Sequence, residues 1–156
     1  RGCLEQYCSS ISFLRDVKAE LINHKDSVLY QQGADFNVDD VFRAASNGDP
    51  YAIKMTEQVG YYIGIGIANI INTYNPDCII MSDIMTHGGP VMLNSIQNTV
   101  RDRIISELLT HVRIKYCCLK EDPTLLGAMA KVLDSFLLDP YQFSDSTNKN
   151  IAKRED

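Results

Sequence analysis

No apolar stretch of the 156-residue chain reaches the ~18 uninterrupted residues that a membrane-spanning helix needs, so none is expected and no membrane partner is implied. Basic residues are in short supply. Fifteen Lys and Arg against twenty Asp and Glu leave a net charge of −5. A chain that grips a nucleic-acid backbone needs the opposite balance, because it must neutralise phosphates. No CxxC pair occurs, and His24, His87 and His111 fall at no ligand spacing, so the chain by itself makes no recognisable zinc site. The cysteines Cys3, Cys8, Cys78, Cys117 and Cys118 are odd in number. Cys117 and Cys118 are adjacent in a predicted strand, where neighbours face opposite ways and rarely bridge. The five read as thiols of a reducing, cytoplasmic protein. No internal repeat is visible. The first residues, Arg1-Gly2-Cys3, hold neither Met nor an apolar leader, so the chain reads as a piece of something longer. What is left, 45% hydrophobic and 22% charged, is ordinary globular composition of about one domain's length.

The elements follow from caps and periodicity. Ser9 or Ser10 caps a helix to about Asn23, with Ile11, Leu14, Val17 and Leu21 at helical spacing. Asn37-Val38-Asp39-Asp40 resembles a capping box and opens a short helix that Asn47-Gly48 closes. Asp49-Pro50 places a cap before a proline at the first helical position. A stripe follows, Ala52, Met55, Val59, Tyr62, Ile63, Ile67, Ile70, Ile71 and Tyr74, until Asn75-Pro76 stops it. Glycine costs about 1 kcal/mol inside a helix, so Gly60-x-x-x-Gly64 predicts close packing against another backbone. Cys78-Ile79-Ile80-Met81 predicts a strand covered on both faces. A loop, a helix from Gly89-Pro90 carrying Leu93, Ile96, Val100, Ile104 and Leu108, and a second strand of alternating Val112, Ile114, Tyr116 and Cys118 come next. Asp122-Pro123 repeats the cap-then-proline signal before the last helix, which Pro140 stops. A domain over 1–143 and a polar, frayed tail over 144–156 are expected.

A strand, a crossover helix and a second strand should run parallel. Two strands alone are marginal, and the long helix asks for more sheet than the chain contains. That shortage points to a larger parent and to exposed apolar surface through which the chain associates.

Four segments together resemble the ROK family of repressors, open reading frames and sugar kinases. Arg1 to Tyr7 is similar to the tail of its CxCGxxGCxE motif. Phe42 to Ala52 is similar to its AAxxGDxxA junction, and Gly64 to Asp77 to its GxxxANxxNxxNP helix and exit. Leu126 to Ala130 is similar to its terminal GAAxLA helix. The resemblance covers residues 1 to about 138. It implies a helix-rich α/β fold: the C-terminal part of an actin-like (ribonuclease-H-like) sugar-kinase lobe, with a small parallel strand-helix-strand unit.

The resemblance also implies sites. Glu5 would contact a sugar hydroxyl, and Cys3 would be one ligand of a structural zinc whose other ligands lie upstream. No cofactor is therefore expected in this chain alone, and zinc belongs to the full-length protein. Kinases of the family place glycines directly after the strand, near the nucleotide phosphates; here Ser82 and Asp83 stand there, a degenerate version of that turn. Gly127 matches a position near the adenine, although a tight helix contact would explain it equally well. The family's catalytic Asp lies upstream, so no catalytic residue is assigned. The function implied is effector sensing and oligomerisation in a sugar-responsive transcriptional regulator of the xylose-repressor type, commonly a homodimer. Its DNA-binding domain would be outside this chain. The alternatives are the C-terminal part of an ATP-dependent sugar kinase and a dimerisation module.

Overall fold

The computed structural model describes residues 2–33, 35–82, 84–105, 112–119 and 122–138. These form two compact units, residues 1–117 and 118–156. In the first, a single turn α1 (Glu5–Cys8) leads into α2 (Ser10–Glu20), capped by the Ser9 side chain, which accepts from the Ser12 amide at 3.2 Å. A 3-10 turn, Leu21–Asn23, finishes α2. Its buried side is Phe13, Val17 and Leu21, whereas Ile11 stays 82% exposed. Of the expected stripe, Val17 and Leu21 are buried and Leu14 packs against the core, and only Ile11 is misplaced. Phe13 lies about 200° away around the helix, and its ring stacks on Phe42 with centroids 5.4 Å apart. The larger aromatic contact sets the inward face.

Two short helices follow, α3 (Val28–Gln32) and α4 (Val38–Ser46). The capping box forms as its residues predict. The Asp40 amide donates to Asn37 Oδ1 at 3.1 Å, and the Asn37 amide donates to Asp40 Oδ2 at 2.9 Å. Gly48, at φ +89°, turns the chain out of α4 into α5 (Pro50–Tyr74). The buried carboxylate of Asp49 closes two helices at once. It accepts from the Ala52 amide (2.9 Å) at the start of α5, and from Ser27 Oγ (2.9 Å) and the Val28 amide (2.8 Å) at the start of α3. Burial pushes this carboxyl up, but these donors, with the Tyr51 amide, outweigh burial and hold it below its ordinary value.

The 25 residues of α5 are the spine of the unit. Its expected stripe is buried at Ala52, Met55, Val59, Ile67 and Ile71 and half-buried at Tyr62 and Ile63, but Ile70 and Tyr74, which spacing places on it, face outward near the helix's C-terminal end, where the described residues leave them uncovered. Asn75 ends it in the left-handed conformation, φ 46°. Against α5 packs α6 (Gly89–Arg101), and the two glycines explain the closeness. A methyl on Gly60 would lie 2.9 Å from Ser95 Cβ and 3.0 Å from the Met92 carbonyl. One on Gly64 would lie 2.7 Å from Thr99 Cβ and 3.1 Å from the Ile96 carbonyl. The close backbone approach expected from the Gly60–Gly64 spacing is therefore made inside the chain.

β1 (Cys78–Met81) and β2 (Arg113–Tyr116) pair in parallel, with Cys78 opposite Arg113 and Met81 opposite Tyr116. Ile79, Met81 and Ile114 pack on the helical core. Ile80, however, is 66% exposed. The expectation of a strand covered on both faces fails, because among the described residues of 1–117 helices cover only one side of the pair. Asn72 ties the return to β2. Its side chain donates to the Arg103 carbonyl (3.2 Å) and accepts from the Ile105 amide (3.3 Å). The spacing predicts a helix that carries Ile104 and Leu108, but α6 ends at Arg101 in a turn, and Ile104, beyond it, is buried from that turn; Leu108 lies outside the described residues.

The second unit carries α7 (Pro123–Leu138), capped by Asp122 through the Thr124 amide at 2.8 Å. None of its residues is buried. The expected stop at Pro140 and the tail 144–156 lie outside the described residues.

Candidate functional site

Cys3 and Glu5 fall on the N-terminal turn. Glu5 is the first residue of α1, where a carboxylate is favoured by the unpaired amides of a helix start, and it is exposed to solvent. Its own carbonyl accepts from the Ser9 amide (2.9 Å) and from Ser12 Oγ (3.4 Å). Leu4 seats in the gap that Gly66 leaves on α5, since a methyl at Gly66 would collide with the Leu4 side chain. Tyr7 lays its ring on Tyr62, centroids 5.0 Å apart, and Tyr61 meets Tyr62 edge-on at 5.5 Å. Neither Tyr62 nor Gly66 announces this role in the sequence, because both contacts join segments more than fifty residues apart.

Cys3 is exposed. Cys8 is half-buried, and its thiol donates to the Leu4 carbonyl at 3.3 Å. Burial pushes the Cys8 thiol up, and nearby Glu5 and Cys3 add to the shift, which makes it a poor thiolate ligand or nucleophile. Among the described residues no three His, Cys, Asp or Glu come together as a metal cluster. Zinc is tetrahedral and takes about four ligands. Cys3 with its neighbours does not fit that requirement, and no chemistry is derived from a metal here.

Ser82 directly follows β1 and is exposed; Asp83 lies outside the described residues. A 3-10 turn, Ile84–Gly88, comes next, and His87 Nδ1 reaches Asp39 Oδ1 on α4 at 2.7 Å. His87 is exposed but paired. Gly89, at φ +58°, starts α6 as its sequence suggests. Gly127 is on α7 in the other unit. Nothing lies within 4 Å of where its Cβ would be, so the expected tight helix contact is not made there.

One further concavity escaped the sequence reading. An open groove of about 900 Å³ runs between α5 and α6, lined among others by Lys54, Glu57, Tyr61, Asn98 and Asp102. At its edge Arg103 donates to the Tyr61 hydroxyl at 2.8 Å. Among the described residues no helix is long and apolar enough to cross a membrane.

The architecture, a helical layer on a small parallel strand pair, is that of an actin-like sugar-kinase lobe. It superposes on a ROK family glucokinase from Streptomyces griseus solved with glucose and AMPPNP, with a TM-score of 0.65 at 23% identity over 74% of this chain and 39% of that one. It also superposes on a ROK family transcriptional regulator, a homologue of the Escherichia coli MLC protein, with a TM-score of 0.69 at 27% identity over 74% of this chain and 29% of that one.

The model of the ROK family matches residues 1–135, and the chain belongs to that family. It is 28% identical over 137 residues to the xylose repressor of Bacillus subtilis (strain 168), covering 88% of this chain and 33% of the repressor. It is 26% identical over 129 residues to a glucokinase of Halalkalibacterium halodurans, covering 81% of this chain and 39% of the enzyme. The chain thus spans about a third of the length of the curated relatives it matches.

Proposed function

We propose that this chain is the effector-sensing and oligomerisation portion of a sugar-responsive transcriptional regulator, and that a domain outside it reads DNA. Glu5 is one contact to the sugar. An exposed carboxylate accepts hydrogen bonds from sugar hydroxyls, and charged acceptors make the stronger ones. Sugar binding between lobes shifts the population of two arrangements and so reorients the DNA-binding part. The likeness to a xylose repressor over 137 residues supports this reading, as does the net charge of −5, which suits a chain that touches no DNA itself. A homodimer is the working assembly. Cys3, if it serves a structural zinc, does so with ligands from outside the chain.

The observation that carries the regulator over the kinase is the exposed Ser82 at the exit of β1. Close approach of a phosphate to the backbone wants glycine there, because a side chain obstructs it. Asp83 follows in the sequence, and two unit charges ~4 Å apart repel by about 4 kcal/mol at an effective dielectric near 20. The kinase remains the second reading, favoured by the glucokinase relative.

The test uses the full-length protein that carries this chain. Calorimetry with D-xylose and D-glucose is expected to show binding of one of them, weakened at least about tenfold by Glu5→Gln. Incubation of the same sugars with ATP is expected to give no phosphorylated product. Steady turnover would transfer the assignment to the kinase.

A further inference from the structure

A four-residue helix has no stability of its own. The direction of the Glu5 side chain is therefore set by what holds α1 from outside. Besides the seating of Leu4 at Gly66, two holds are visible. In the first, hydroxyls form a relay: Ser9 Oγ donates to Ser12 Oγ at 2.9 Å, and Ser12 Oγ donates to the Glu5 carbonyl at 3.4 Å. Ser12 sits on the buried face of α2 beside Phe13 and Val17 and is only 7% exposed. An apolar residue would ordinarily occupy such a position, and alanine would serve the helix better. The buried hydroxyl is matched to α1, not to the core. In the second hold, Tyr62 on α5 supplies the ring on which Tyr7 rests, 5.0 Å away and tilted by 37°. Tyr62 is half-buried, and its other ring contact is the edge-on one with Tyr61.

We infer that Ser12 and Tyr62 are positioning residues, which fix the turn carrying Glu5 so that its carboxylate meets a sugar hydroxyl. This rests on the reading of Glu5 as a sugar contact. Neither residue touches the sugar. Each acts through α1, one by a hydrogen bond to the backbone of Glu5 and the other by stacking on its neighbour Tyr7.

A double-mutant cycle separates this from a merely structural role. Affinities for D-xylose and D-glucose are measured by calorimetry on the full-length protein and its variants. Ser12→Ala is expected to weaken binding about fivefold, the worth of one net hydrogen bond. Tyr62→Leu, which keeps apolar contact but loses the ring, is expected to weaken it about threefold. In a Glu5→Ala background both losses should vanish, because the group being positioned is gone. Losses that persist undiminished in that background, or no loss from either variant, overturn the positioning role while leaving Glu5 as a contact. If Glu5→Ala itself leaves affinity unchanged, or neither sugar binds, the sugar contact falls and the positioning role falls with it. Should Ser12→Ala fail to fold, the Tyr62→Leu arm decides by the same criteria.

Discussion

Helices α5 and α7 begin with the same signal, Asp-Pro, and both carry apolar residues at helical spacing, yet α5 has buried residues from Tyr51 to Ile71 and α7 has no fully buried residue among those described. The difference lies in what each helix meets. α5 offers glycines at 60 and 64, into which α6 presses Ser95 and Thr99. Met129, Leu133 and Phe136 of α7 line an open apolar surface within their own unit. Periodicity and capping therefore specify a helix and its apolar side, and burial needs a partner of matching shape as well. Among the described residues, α7 meets the first two specifications and has no fully buried residue.

Paired substitutions sharpen this contrast. The largest difference is expected between Ile96→Ala and Leu133→Ala. Ile96 is fully buried under α5, and its truncation should cost about 3 kcal/mol in urea unfolding. Leu133 is exposed, and its truncation should cost under about 0.5 kcal/mol. An equal cost at both positions would mean that α7 has found a partner in solution.

The two caps come next. Asp49→Asn should cost about 2 kcal/mol, because an amide cannot accept from the Ser27 hydroxyl and the Val28 and Ala52 amides with both its heavy atoms. Asp122→Asn should cost only a few tenths, since Asn caps as well as Asp and the site is exposed. The Asp49 carboxyl is held below its ordinary value, so its contribution is present in full above the usual carboxylate range. It is lost as pH falls through the folded value. The stability-against-pH curve of Asp49→Asn should lack that acid-side decline.

The glycines should differ in sign. Gly64→Ala forces a methyl to 2.7 Å from Thr99 Cβ and should destabilise by about 1 kcal/mol net, overpacking exceeding the gain in helix propensity. Gly127→Ala meets open space in its unit and should stabilise α7 by up to about 1 kcal/mol, read as increased helicity by circular dichroism. The smallest effect is expected at the exposed Lys54–Glu20 pair, 3.2 Å apart, where Lys54→Gln should change stability by less than about 0.5 kcal/mol.

Much of this architecture was legible in local signals. The caps at Ser9, Asn37, Asp49 and Asp122 and the stops at Gly48 and Asn75 follow from residues within a turn of where they act, and the parallel strand pair follows from the strand-helix-strand order. Faces were less legible. Ile11 and Phe13 are both apolar and two residues apart, and only the distant Phe42 decides between them. Ile80 looks like a core residue in sequence, but cover on its side of the pair is missing from residues 1–117. The position of Glu5 came from family resemblance, and its anchorage to Ser12 and α5 from tertiary contacts that no local pattern encodes.

The parallel pairing of β1 with β2 also has a kinetic consequence. The strands are separated in sequence by all of α6 and its flanking turns, and closing so long a loop costs entropy that a four-residue ladder repays poorly. The docking of α6 on α5 shortens that loop in advance, and the Asn72 side chain then catches the returning chain at Arg103 and Ile105. The helical pair is thus expected to form first and the strand ladder late. Substitutions at Ile96 should slow refolding, whereas substitutions at Ile114 should mainly quicken unfolding.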